Sequence, residues 1–188
     1  MYYKIMMAKT VYESIEDILK PKLPKEIKQA LEKFKPNKLV SMGINGRNPY
    51  LIKTGIKGGA SNTDIVNHEA FIIAVQNNDV ELLKLLLKDE KNNPGRGGDY
   101  EIQSKYKKYD NRPIRLACQN GLTEMVKLLL RDSRVDPSTD KQFPLRHAIK
   151  NNHWDIVEML INDKRVIEDL SQEQMTKIIK TLILKIRN

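Results

Sequence analysis

The chain has a single cysteine, Cys118, among its 188 residues. One thiol cannot build an internal disulfide framework or a multi-cysteine zinc site. Cys118 is therefore expected to be a small buried residue in a reducing compartment. Histidine is scarce too. His68, His147 and His153 are the three, and they do not make the H-E-x-x-H spacing of a metal site. Long apolar runs are missing. The stretch Phe71-Ile72-Ile73-Ala74-Val75 is among the longest, and a membrane-spanning helix needs about 20 such residues. The opening Met1-Tyr2-Tyr3-Lys4-Ile5 lacks the apolar stretch of a signal peptide. Together these absences predict a cytoplasmic protein that does not span or bind a membrane.

Reactive clusters are missing as well. Gly95-Arg96-Gly97-Gly98 has the glycine density of an anion-binding nest. It lacks the Gly-Lys-Ser/Thr of a phosphate loop. Asp99-Tyr100-Glu101 offers two carboxylates with no partner that spacing identifies. No enzymatic activity, cofactor or metal is expected.

What is present begins with charge. There are 33 basic and 24 acidic residues, a net charge of +9. Residues 1–60 carry 12 of the basic and 5 of the acidic ones, so the excess is mostly N-terminal. A basic surface favours anionic partners, whether nucleic acid, acidic protein surfaces or anionic membrane, and charge alone does not choose among them. With 40% hydrophobic and 30% charged residues, the chain can also bury a core.

Self-comparison reveals a repeat. Pro113-Ile114-Arg115-Leu116-Ala117 matches Pro144-Leu145-Arg146-His147-Ala148. Met125-Val126-Lys127-Leu128-Leu129-Leu130 matches Ile156-Val157-Glu158-Met159-Leu160-Ile161, and Asp132-Ser133-Arg134-Val135 matches Asp163-Lys164-Arg165-Val166, all at an offset of 31 residues. A third copy, holding Ala70–Ala74 and Leu82–Leu87, precedes them at an offset of 43. Each copy has the pattern of two short helices. The first has a small residue in its middle (Ala74, Ala117, Ala148), where a neighbour can approach. The turn between them carries Asn77-Asn78, Asn120-Gly121 or Asn151-Asn152, residues that tolerate the left-handed conformation ending a helix. The second has aliphatic residues at helical spacing. One such pair cannot bury its apolar face alone, but a stack of them can.

These copies resemble the ankyrin repeat family. Asp110-Asn111-Arg112-Pro113-Ile114-Arg115-Leu116-Ala117 is similar to that family's D-x-x-G-x-T-P-L-H-x-A opening, and Asn120–Leu130 is similar to its G-H-x-x-V-V-x-L-L-L. The family's T-P-L-H is never complete, and Arg115 and Arg146 stand where its histidine would tie the turn. The D-x-R-V-D-P that follows the second helix resembles ankyrin proteins encoded by large DNA viruses and some phages, which implies the host cytoplasm if the source is viral. The implied fold is all-α, an ankyrin-type helix-turn-helix solenoid with helical caps at both ends.

The domain plan follows. Residues 1–37 form a basic helical extension, with helix candidates over 10–19 and 24–34. This extension serves as a cap or as a docking or packaging tag. A degenerate capping repeat spans 38–64, with Pro49 opening its second helix. Three repeats cover 65–168, interrupted by an inserted loop at 95–109. A C-terminal capping helix fills 169–188, announced by the capping box of Ser171 and Gln174.

The resemblance implies a non-catalytic protein-binding module. Its partner would meet the concave first-helix face at Gln119, Asn120, Lys150 and Asn151. It would meet the hairpin tips at Asn111, Arg112, Gln142 and Phe143. The inserted loop adds Arg96, Tyr100, Tyr106, Lys107, Lys108 and Tyr109, since tyrosines supply contact area at low entropic cost and solenoid insertions often project on the binding face. The alternative is a nucleic-acid- or virion-associated protein acting through its basic N-terminal segment.

Overall fold

The computed structural model describes residues 25–60, 68–95 and 111–186, which contain eleven helices and no strand. The expected helix over 10–19 lies outside them. The chain divides into two compact units, residues 1–65 and 66–188.

The first unit contains α1 (Lys25–Glu32), α2 (Pro36–Asn45) and α3 (Pro49–Lys57). Pro36 and Pro49 each stand in a first helical turn, where a missing N–H leaves no bond unmade. Asn48 caps α3, its side-chain oxygen accepting from the amides of Tyr50 and Leu51 at 3.0 and 3.2 Å. The α2–α3 hairpin is close-packed because two glycines lie at its seam. A Cβ on Gly43 would come within 2.6 Å of Ile52 Cγ1, and one on Gly55 within 2.6 Å of Val40 Cγ2.

The second unit contains α4 (His68–Gln76), α5 (Val80–Lys88), α6 (Arg112–Gln119), α7 (Thr123–Leu130), α8 (Thr139–Lys150), α9 (Trp154–Ile161), α10 (Lys164–Glu168) and α11 (Gln172–Ile186). First helices pack on first helices, α4 on α6 and α6 on α8. Second helices likewise follow one another, α5 on α7 and α7 on α9.

One turn recurs in both units. The amides of Asn48, Asp79, Leu122 and His153 donate to the carbonyls of Gly43, Ala74, Ala117 and Ala148 at 2.7 to 3.0 Å. This bond closes a helix C-terminus when the preceding residue is left-handed. Arg47, Asn78, Gly121 and Asn152 supply that residue, with φ between 49° and 71°. The small residue expected in each first helix is thus also the acceptor of its turn. The same turn in α2–α3 gives that hairpin the local form of a repeat.

The core is periodic. Leu82, Leu83 and Leu86 are replaced one repeat on by Met125, Val126 and Leu129, then by Ile156, Val157 and Leu160, and all nine are buried. Leu85, Leu128 and Met159 lie beside this stripe and are half-buried.

At the C-terminus the capping box forms. The Ser171 amide donates to Gln174 Oε1 at 2.8 Å, and the Gln174 amide donates to Ser171 Oγ at 3.2 Å. The outer face of α11 is less polar than a cap calls for. Met175, Ile178 and Leu182 form its half-buried stripe. Ile179, Ile183 and Leu184 fall outside that stripe and are exposed by 48, 45 and 64%.

Candidate functional site

The first helices carry exposed polar residues in register. Gln76, Gln119 and Lys150 occupy one position on α4, α6 and α8. Asn77, Asn120 and Asn151 occupy the next, and all six are exposed. Some of this capacity is spent internally. Asn77 Nδ2 donates to the Ile73 carbonyl at 2.8 Å. The Gln119 carbonyl accepts from Asn151 Nδ2 at 2.7 Å, with His153 Nε2 3.1 Å away. The side chains of Gln119 and Lys150 stand open to solvent.

Toward the hairpin tips the face becomes cationic. The Phe143 and His147 rings stack 3.8 Å apart at 16°. Helical spacing from 143 to 147 places them on one side of α8. The Arg115 guanidinium, from α6, lies over the Phe143 ring at 4.4 Å from its centroid, and that of Arg146 is 6.0 Å away. Arg115 Nη2 pairs with Asp140 Oδ2 at 3.2 Å. Arg146 donates through Nε to the Lys141 carbonyl at 2.9 Å and through Nη2 to the Asp140 carbonyl at 3.2 Å. Arg146 therefore ties its own turn, whereas Arg115 reaches the turn of the next repeat. Burial, and then the charges of Arg146, Lys150 and Arg115, hold the His147 ring below the ordinary histidine range against the pull of Asp140. Three cations against one carboxylate make this part of the face positive.

The tips themselves differ from the expectation. Asn111 and Gln142, expected as partner contacts, are only 2% and 1% exposed. Both are left-handed, with φ of 44° and 63°, and each amide is taken up by the following repeat. Asn111 Oδ1 accepts from the Asp136 amide at 2.7 Å. Gln142 Nε2 donates to the Val166 carbonyl and to Asp169 Oδ2, both at 3.0 Å. Loop groups that would otherwise be buried without partners need these bonds, which removes the two amides from the outer surface. Arg112 is exposed and Phe143 half-buried. Arg96, Tyr100, Tyr106, Lys107, Lys108 and Tyr109 lie outside the described residues.

The base of the insertion is described. The Asn111 amide donates to the Gly95 carbonyl at 3.2 Å, and the equivalent Gln142 amide donates to the Ser138 carbonyl at 2.9 Å. The turns before them also match. The Gly95 amide donates to Asn93 Oδ1, and the Ser138 amide to Asp136 Oδ1, each at 2.9 Å. Residues 96–110 thus stand where the next repeat has only residues 139–141, one residue later than the expected 95–109.

Among the described residues, no group of His, Cys, Asp and Glu side chains could hold a metal ion. No described helix is long and apolar enough to cross a membrane. Cys118 is buried, and desolvation pushes its thiol far above the range in which thiolates form.

The sequence matches a family model described as Ankyrin repeats (3 copies), over residues 40–138 and again over 71–173. The chain belongs to the ankyrin repeat family. No curated protein and no solved structure matches it.

The ankyrin stack also contains a bonding ladder that the sequence reading missed. Arg134 donates to the carbonyls of Leu87, Asp89 and Glu90 at 3.1, 3.1 and 2.8 Å, and to that of Asn92. Arg165 repeats the grip one ankyrin unit later, on Leu130 at 2.7 Å and Val135 at 2.9 Å. Each guanidinium is aimed by the aspartate two residues before it, Asp132 or Asp163. A guanidinium fork at a helix C-terminus meets several unpaired carbonyls at once. Burial opposes ionisation of Asp132, but its hydrogen bonds from Arg134 outweigh that and keep the carboxyl below the usual range. The hydrogen bond from Arg165 does the same for Asp163. The recurring Asp-x-Arg was the available signal. Its long reach to the preceding loop was not visible in spacing.

Proposed function

We propose that this protein is a non-catalytic binding module whose partner is a protein with an acidic surface. Ankyrin repeats are general protein-interaction modules. The observation that carries the finer reading is the exposed row of Gln76, Gln119 and Lys150 running into the cationic cluster of Arg115, Arg146 and Lys150. Polar side chains held in register on rigid helices can read an extended partner, and a positive face selects an acidic one. The 96–110 segment, with Tyr100, Tyr106 and Tyr109 beside its lysines, is proposed as a second contact, joined in sequence to the Asn111-Arg112 turn. The D-x-R-V-D-P spacing supports a viral or phage factor acting on a host protein. A second reading, binding of nucleic acid or of a virion component, is favoured by the basic excess in residues 1–60.

The test is capture of partners from lysate by the wild-type chain and by a Gln119→Ala/Lys150→Glu variant, with and without nuclease. A protein retained after nuclease and lost with the variant is expected. Capture that nuclease abolishes, or that the variant leaves unchanged, would overturn the proposal.

A further inference from the structure

The Arg115–Phe143 contact has the form of a receptor that already holds a ligand. Arg115 is fixed from two sides, by the Phe143 ring 4.4 Å beneath it and by Asp140 Oδ2 3.2 Å from Nη2. Phe143 is in turn held by its stack on His147. The guanidinium is therefore oriented before any partner arrives. Its occupant comes from the chain itself, on an unusual backbone. Asp140, Lys141 and Gln142 are three successive left-handed residues, with φ of 53°, 55° and 63°. Such residues persist where the surroundings hold them. Here Arg146 binds the carbonyls of Asp140 and Lys141, and Gln142 is anchored in the next repeat. The Asp140 side chain is nonetheless 51% exposed, and the Arg115 side chain 20%. The pair is thus open to exchange with a carboxylate from outside. Arg146 and Lys150 add positive charge on the same face.

We infer that Asp140 is a tethered stand-in for a carboxylate of the protein partner, and that an acidic side chain of the partner displaces it from Arg115. This deepens the proposed acidic-partner reading and rests on it. Asp140 then sets a threshold. A partner gains only the difference between its own carboxylate and the internal one. Weakly acidic chains stay unbound, and segments with several carboxylates, able also to use Arg146 and Lys150, bind. The inference predicts a gain of binding from loss of an ion pair, which a purely structural role for Asp140 does not.

The probe is a fluorescein-labelled decaglutamate peptide, titrated by anisotropy against the intact chain at low and high salt. Asp140→Asn removes the competing charge and keeps a side chain that accepts the left-handed backbone. Its affinity for the probe should rise about two- to fivefold, the range an exposed ion pair commands. Arg115→Gln should lose about fivefold or more, as a charge-assisted contact is removed. Arg115→Lys keeps the charge but loses the fork, and should fall between wild type and Gln. Circular dichroism melts confirm that each variant is folded. Unchanged or weaker probe binding by folded Asp140→Asn overturns the inference, as does probe binding in none of the chains. A single-stranded oligonucleotide that displaces the probe equally from all variants also overturns it, in favour of a nucleic-acid ligand. Capture of a protein partner that depends on Gln119 and Lys150 but ignores Asp140 leaves the binding-module reading standing and removes only this refinement.

Discussion

The amide of Asn111 is bonded to the carbonyl of Gly95 at 3.2 Å, so the two residues that flank the fifteen-residue insertion are held together. The bond is the equivalent of the one between the Gln142 amide and the Ser138 carbonyl, where three residues intervene instead of fifteen. Gly95 is confined there, since a Cβ would lie 2.4 Å from the Arg134 carbonyl oxygen and 2.9 Å from Asn111 Oδ1.

Replacing residues 96–110 by Thr-Asp-Lys, the tripeptide that fills the equivalent gap at 139–141, should leave the thermal midpoint within a few degrees of wild type. Loop length itself contributes little free energy. Partner affinity should fall if the tyrosines are anchors, which commonly cost about 1–4 kcal/mol on truncation. A collapsed melt would show that the inserted segment is structural. Unchanged melt and affinity would show it to be a passive spacer.

Leu129→Ala should destabilise the second unit by about 2–5 kcal/mol, the usual range for a buried leucine. Leu129 is fully buried at the position held by Leu86 and Leu160 in the flanking repeats. Urea denaturation is the measurement, and an unmoved midpoint contradicts the packing described.

Arg134→Gln should cost about 2–4 kcal/mol, because it strips a charged donor from several loop carbonyls and strands Asp132. The cost should also depend on pH. The Asp132 carboxyl is held below its ordinary range in the folded protein. Its stabilisation is therefore complete above the unfolded carboxyl range, about pH 4, and fades as the pH falls through the lower folded value. Urea midpoints of wild type and variant should differ by a constant amount from neutrality down to about pH 5, and the gap should narrow in stronger acid to the share due to the loop carbonyls, which do not titrate. A gap that persists undiminished at the acid limit would mean that the aspartate does not aim the arginine.

Gly43→Ala should lower the stability of the first unit by about 1–3 kcal/mol through overpacking. The added methyl would meet Ile52 Cγ1 at 2.6 Å and the Ile52 backbone nitrogen at 2.8 Å. Relief needs the two helices to separate. Alanine is the better helix former by about 1 kcal/mol, so a midpoint that rises would show the hairpin to be free to open.

Much of the fold was legible because stacking makes every repeat obey the same local rules. Ala74, Ala117 and Ala148, the Asn and Gly of the turns, and the Ser171–Gln174 box each follow from short-range chemistry that spacing exposes. The site was less legible. Asn111 and Gln142 look like exposed tip residues in sequence, and only the left-handed backbone turns them into the next repeat. The pairing of Arg115 with Asp140 joins residues 25 apart, across a turn whose handedness no propensity announces. Arg134 and Arg165 repeat visibly, but their targets lie at least forty and thirty residues upstream, beyond any local pattern.

The two sets of bonds between repeats point in opposite directions. Arg134 and Arg165 reach back to the loop before them, while Asn111 and Gln142 reach forward to the loop after them. The α6–α7 repeat is therefore gripped on both flanks and from both sides. The α4–α5 repeat carries Lys91 where its successors carry arginine, and lysine has no fork with which to hold several carbonyls. The stack consequently has a mechanical polarity. The α4–α5 repeat is gripped by Arg134 but extends no such grip of its own, so the second unit, pulled from its two ends, should keep the doubly held α6–α7 repeat to the last.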